Sequence, residues 1–386
     1  MGIYSNTVSF SQYRIIGEIP QSERFEWFSA GLTGRIFNSI EQSAEESSEG
    51  WTCTDHSDSP SFETAADFWR DNYLLFSYRH DQRRIPGALF KSHTGRAEAE
   101  ELAKRPELKR LSKQKREEIA ERVKLGLLTK TLPAPATIDI VWQYEANLLT
   151  LFSTSAKVRE RFEELFAKSF ENLRVQLIYP YLRAFNLLDE QQKAQLAELN
   201  QADTDAALAE IQHNTWLGAE FMLWLLHSGV NDSSFQVSTK GHFDQGEPFA
   251  AWIDDKIQLQ GATEAGPQKV VVSGSQNSYL EARTALKSGK QLSNAALYIE
   301  KDELQWRFVL DGELFTFGSF KTPPLQIEKD AMDGMTEREA VFYERVYLLE
   351  AGLQLFDSLL LAFLQERLSD KWNERLQTIG EWLEEG

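Results

Sequence analysis

Between Arg79 and Lys130 the sequence gathers fifteen lysines and arginines against eight acids, in a 386-residue chain whose formal net charge is −18. Clustered cations on an otherwise acidic body are suited to holding a polyanion, most simply the phosphates of a nucleic acid. The candidate contacts are Arg83, Arg84, Lys91, Arg96, Lys104, Lys109, Arg110, Lys113, Lys115, Arg116, Arg122, Lys124 and Lys130. The plainer alternative is a solvated helix face, since most charge runs are no more than that. One detail weighs against it. Ser112 reads as a helix N-cap, followed by Lys113, Lys115 and Arg116, with Ile119, Val123 and Leu127 as the apolar series. A helix start carries partial positive charge and prefers acids in its first turn. Cations there oppose local stability, and a bound phosphate would be stabilised by both the side chains and the helix end.

Two helices must position these charges. The first is expected from Pro86 at its N1 position, with Leu89, Phe90 and Leu102 as its sparse apolar residues, and Pro106 is expected to break the chain. The second is expected from about Lys113 to Thr129. Cations spread along two helices, with no aromatic ladder and no recognition-helix pattern, suit phosphate contacts rather than base readout.

Around this basic arm the periodicity predicts an α+β chain. Strands are expected at Thr7–Gly17, Gly50–Cys53, Tyr73–Tyr78, around Ile138–Trp142, at Leu148–Phe152 and at Val175–Tyr179, with helices at Glu23–Phe37 and Lys157–Phe170. The window 41–63 otherwise reads as exposed loop, and Leu132-Pro133-Ala134-Pro135 as a stiff link. The order is that of a ferredoxin-like layer, residues 1–84 and 131–180, with a helical-hairpin arm inserted at 85–130. A helical region (181–230), a second β-rich subdomain (231–330) and C-terminal helices (331–386) follow. Asp311-Gly312 marks a hairpin turn between a strand at Leu304–Leu310 and one at Leu314–Phe317. A long amphipathic helix is expected from Glu337 to Leu368, and a tail helix from Lys371 to Leu383.

Other chemistries find little support. The single Cys53 excludes an intramolecular disulfide and fits a reducing compartment. No secretory signal is read at the N-terminus, and no uninterrupted apolar run is long enough to span a membrane. His56, His80, His93, His213, His227 and His242 lack zinc-type spacing, and there is no P-loop motif. No cofactor and no metal site are expected. Asp254-Asp255-Lys256 could belong to a metal-dependent nuclease, but adjacent acids on a strand face opposite ways. A further class is an interaction protein that docks its basic arm on an acidic partner.

The run Ile85-Pro86, Leu111-Ser112-Lys113-Gln114-Lys115-Arg116-Glu117-Glu118, Leu127-Leu128, Ile140-Val141-Trp142 and Phe152-Ser153-Thr154-Ser155-Ala156-Lys157 resembles the bacterial recombination-associated RdgC family. The best-matched part is residues 72–178, and the longer middle around Trp216–Leu225 suggests a divergent branch. The resemblance implies a ring-shaped homodimer that encircles double-stranded DNA without base readout. It also implies a non-enzymatic protein, cytoplasmic and nucleoid-associated, that restrains RecA-type recombinases. In that family the arm meets its partner at an Arg-Ala-Phe sequence. The matching positions here are Lys130, Thr131 and Leu132, which keep the charge and replace the aromatic.

Overall fold

The computed structural model describes residues 2–43, 45–58, 60–104, 107–231, 233–263, 266–274, 279–325 and 337–384. In chain order the elements are β1 (Thr7–Ile16), α1 (Arg24–Thr33), β2 (Ser47–Thr52), α2 (Ala65–Phe68), β3 (Trp69–Arg70), β4 (Tyr73–Gln82), α3 (Gly87–Ala103) and α4 (Lys113–Leu128). Then come β5 (Ala134–Gln143), β6 (Leu148–Leu151), α5 (Ala156–Ser169), β7 (Arg174–Leu177), α6 (Pro180–Leu187), α7 (Glu190–Glu198), α8 (Ala207–His213) and α9 (Thr215–Asn231). The last third holds β8 (Ser234–Gln236), β9 (Pro248–Thr263), β10 (Gly266–Ser273), α10 (Leu280–Lys287), β11 (Gln291–Lys301), β12 (Leu304–Asp311), β13 (Phe317–Lys321), α11 (Glu337–Arg367) and α12 (Lys371–Glu384). The chain is thus α+β, with long antiparallel pairings and a long C-terminal helix.

Two compact units result. One comprises Met1–Ile15, Leu148–Arg159 and Gln176–Gly386, the other Ile16–Asn147 and Glu160–Val175. In the smaller unit β4 is central, pairing antiparallel with β5 on one side and with β2 and β3 on the other. The alternation of Leu74, Phe76 and Tyr78 with Leu75 and Ser77 does not separate a wet face from a dry one, because all five are buried. Its core is aromatic. Phe28 meets Trp142 edge-on at 5.1 Å, and Trp142 packs on Phe166 at 5.4 Å and on Phe170 at 5.5 Å. The buried Trp51 Nε1 donates to Ser169 Oγ at 2.7 Å, so its one polar atom is satisfied.

In the larger unit the strand order is β10-β9-β11-β12-β13-β1-β6, with β8 on β9. Phe10, Phe308, Phe317, Phe320 and Phe356 form its core. The buried Arg183 lies over the Phe317 and Phe356 rings, donating from Nε to Asp357 at 2.5 Å and from Nη1 to Gln12 at 2.7 Å.

Several expectations change. β1 pairs with β6, a strand of the expected layer, but also with β13, which lies outside it. Periodicity identifies a strand but not its partner. Residues 133–135 are less a link than the start of β5, since Ala134 and Pro135 already stand opposite Gln82 and Asp81. The last sheet strand begins at Phe317, not Leu314, because Phe315 takes a left-handed conformation (φ 49) inside the turn. The break expected at Pro106 lies outside the described residues. Helix α11 is also long and apolar enough to cross a membrane by length and composition. Counting uninterrupted apolar runs overlooks this. Of its most apolar stretch 72% is buried inside the fold, as in the core helix of a soluble protein.

Candidate nucleic-acid interface

The hairpin of α3 and α4 forms where the sequence places it. Ser112 caps α4, its hydroxyl accepting from the Lys115 amide at 3.2 Å, and the first turn holds no acid. Pro86 sits at the N-cap of α3, one position earlier than its expected place at N1, and Gly87 begins the helix. The two helices share a thin core. α3 has no fully buried residue, and α4 buries only Ile119, Leu127 and Leu128. At about 100° per residue, Arg116, Ile119, Val123 and Leu127 line one strip of α4. Lys113 and Lys124 border it on one side, Lys115 and Arg122 on the other. Glu117, Glu118 and Glu121 gather on the opposite face, so the helix segregates its own charges.

The root of the hairpin is held by Arg83, which is 2% exposed. Its guanidinium donates to five backbone carbonyls: Thr131 at 2.7 Å, Ser43 at 2.6 Å, Glu45 at 2.9 Å, Ile40 at 2.9 Å and Glu41 at 3.0 Å. This corrects the expectation for Arg83. Its donors are spent inside the fold, and it ties the strand entering the hairpin to the residue leaving it. Arg79 is also internal, hydrogen-bonded to Asp81 at 2.8 and 2.9 Å and to Asp58 at 2.9 Å. The Asp81 carboxylate holds the Arg79 guanidinium above its usual pKa.

The remaining candidates lie at the surface. Lys115 is partly buried and the others are exposed. Four carry acidic partners: Lys104 with Glu101 at 3.6 Å, Lys113 with Glu117 at 3.8 Å, Lys115 with Glu118 at 2.9 Å and Lys124 with Glu46 at 2.6 Å. These are exposed pairs worth about 0.2–1 kcal/mol each, easily exchanged for a phosphate. Glu46 comes from the segment before β2, and no sequence signal tied it to Lys124. Among the described residues Arg84 bonds only the Gln82 amide oxygen, at 3.3 Å. Lys91, Arg96, Lys109, Arg110, Arg116, Arg122 and Lys130 have no acidic partner among the described residues. Arg84, Phe90 and Lys124 also line a cleft of about 430 Å³ at the hairpin root, with Glu46 and Ile85.

Past α4, Thr131 is half-buried, its hydroxyl donating to the Leu127 carbonyl at 2.8 Å. Lys130 is exposed, and Leu132 is 82% exposed. Of the two acids considered for a metal site, Asp255 is engaged in an ion pair. Asp255 adopts φ 62, which interrupts the strict strand alternation, and its carboxylate pairs with Arg307 at 3.2 Å. Among the described residues no group of three or more His, Cys, Asp or Glu could hold a metal ion.

No curated protein matches the chain. The sequence pattern of the family described as "Putative exonuclease, RdgC" matches residues 10–209, just over half of the chain and all of the hairpin. By that match the chain belongs to the RdgC family.

Proposed function

We propose that the protein binds double-stranded DNA without reading its sequence, through the cations of the α3–α4 hairpin. The observation that carries this is the concentration of exposed cations with no acidic partner among the described residues on one thin hairpin, whose second helix segregates its charges, in a chain of net charge −18. Family membership supports a recombination-associated DNA-binding role. Phosphate contacts from flexible lysines and arginines fix position but carry no base information. In this reading the protein acts as a homodimer, two hairpins closing a ring round the duplex. Lys130, Thr131 and Leu132 form the contact between arms, and the ring restrains a RecA-type recombinase on the same DNA. The largely exposed Leu132 is the kind of apolar residue such a contact would cover.

A second reading is a metal-dependent nuclease, and the family's description as an exonuclease favours nuclease activity. Gel retention of a labelled duplex across a salt series, with and without magnesium, separates the two. The binding reading expects affinity to fall about 10³-fold or more between 50 and 200 mM salt, with the DNA intact. Shortened products in magnesium alone would establish the nuclease. No retention at low salt would overturn the DNA reading and leave the hairpin to an acidic protein partner. The mass of the protein with and without a short duplex tests the ring.

A further inference from the structure

A second feature, in the larger unit, is suited to a different form of nucleic acid. Register sets Trp252 of β9 opposite Tyr298 of β11, Tyr298 opposite Arg307 of β12, and Arg307 opposite Lys321 of β13. Direct partners on adjacent strands share a face. Here it is the outward one. Trp252, Tyr298 and Arg307 are half-exposed and Lys321 is exposed, whereas the residues flanking the first three along their strands are buried. The Trp252 and Tyr298 rings lie 5.5 Å apart at 7°, nearly parallel. The Arg307 guanidinium carbon stands 5.5 Å from the centroid of the Tyr298 ring. Asp255 fixes the arrangement, accepting from the Tyr298 hydroxyl and from Arg307 Nη2 at 3.2 Å, while Arg307 Nε donates to that hydroxyl at 2.8 Å. Arg307 Nη1 and Lys321 Nζ have no partner among the described residues.

A stacked pair alone would only stiffen a sheet. This one is extended by two cations at strand spacing, so a flat π-face is followed by positive charge. An unpaired nucleotide presents the complement, a base face with a phosphate one step along the backbone, whereas a duplex hides its base faces. We propose that this row is a subsite for single-stranded nucleic acid, one base continuing the Trp252–Tyr298 stack and a phosphate meeting Arg307 and Lys321. The proposal extends the nucleic-acid reading above to a second surface and a second form of ligand. With only Arg307 and Lys321 to meet phosphate, and Asp254 and Glu300 bordering the row, binding here makes few phosphate contacts and depends less on salt than binding to the hairpin does.

The test uses the unmodified full-length chain and oligothymidylate carrying 5-iodouracil, photocrosslinked and mapped by peptide mass. Crosslinks to the peptides bearing Trp252 or Tyr298 are expected. Trp252→Leu and Tyr298→Leu should each weaken oligothymidylate binding about ten-fold while leaving duplex retention unchanged. Crosslinks confined to residues 87–130, or unaltered oligothymidylate affinity in both folded variants, would overturn the subsite alone. A chain that binds neither form of DNA would overturn the subsite together with the functional reading it extends.

Discussion

Reversing Lys113, Lys115 and Arg116 to Glu separates stability from binding, because the first is expected to hold while the second falls. All three lie in the first turn of α4, which holds no acid. Placing acids there complements the helix end, at about 0.3–1 kcal/mol for each charge. The cost is two exposed ion pairs, Lys113–Glu117 at 3.8 Å and Lys115–Glu118 at 2.9 Å, which become like-charge pairs at roughly 0.3–0.5 kcal/mol apiece. The fold should therefore keep its stability within about 1 kcal/mol, or gain slightly. Duplex binding should fall steeply. Each lost phosphate contact removes about 0.9 from the slope of log K against log salt. Three losses would bring the slope down by about 2.7, and the added repulsion makes a hundred-fold weakening at moderate salt a minimum. The assay is paired: denaturant unfolding for stability, and anisotropy of a labelled duplex at several salt concentrations for affinity. Unchanged affinity and slope in a variant that unfolds like the parent would refute the argument that the hairpin holds the phosphates.

Arg83→Lys should behave in the reverse manner. An ammonium has three donors for the five carbonyls, and losing at least two charged hydrogen bonds costs about 3–6 kcal/mol, read as a lower denaturation midpoint; an unaltered midpoint would contradict the clamp. Arg84→Glu, one residue on, should weaken duplex binding with no change in that midpoint. Burial raises the Tyr279 pKa to about 12, and its hydroxyl donates to the Ile253 carbonyl at 2.7 Å. With the folded value above the unfolded one, its contribution is complete below about pH 10 and fades as pH climbs toward 12, by less than the roughly 2.7 kcal/mol that two units would give a fully buried group. Tyr279→Phe should flatten that alkaline loss in denaturation curves at pH 8 and pH 11, and equal losses in both proteins would refute the assignment. At Gly218 a Cβ would stand 1.9 Å from the Gly312 carbonyl oxygen, a backbone atom. Gly218→Ala should therefore lower the melting temperature by several degrees, and an unmoved melting curve would show that α9 and the turn separate freely.

Local elements, and the surface on which the proposed contacts lie, were legible in the residue order. The cap at Ser112, the apolar series Ile119, Val123 and Leu127, and the long stripe from Phe342 to Phe363 are set by neighbours a turn away, so α4 and α11 fell within a residue or two of their expected bounds. Charge segregation too is a property of composition, and it marked the hairpin before any coordinates. Tertiary structure decided which cations remain available. Arg83 and Arg84 are adjacent and of the same type, yet one is consumed by carbonyls from Ile40 to Glu45 and from Thr131, while the other faces water. Tertiary structure also decided that β1 pairs with β13, whose partner residues lie some three hundred positions away. The Trp252–Tyr298–Arg307 row exists only through the registers of β9, β11 and β12. The physical reason is range: capping and helical periodicity act over a turn or two, whereas burial and strand register depend on residues that only the folded chain brings together.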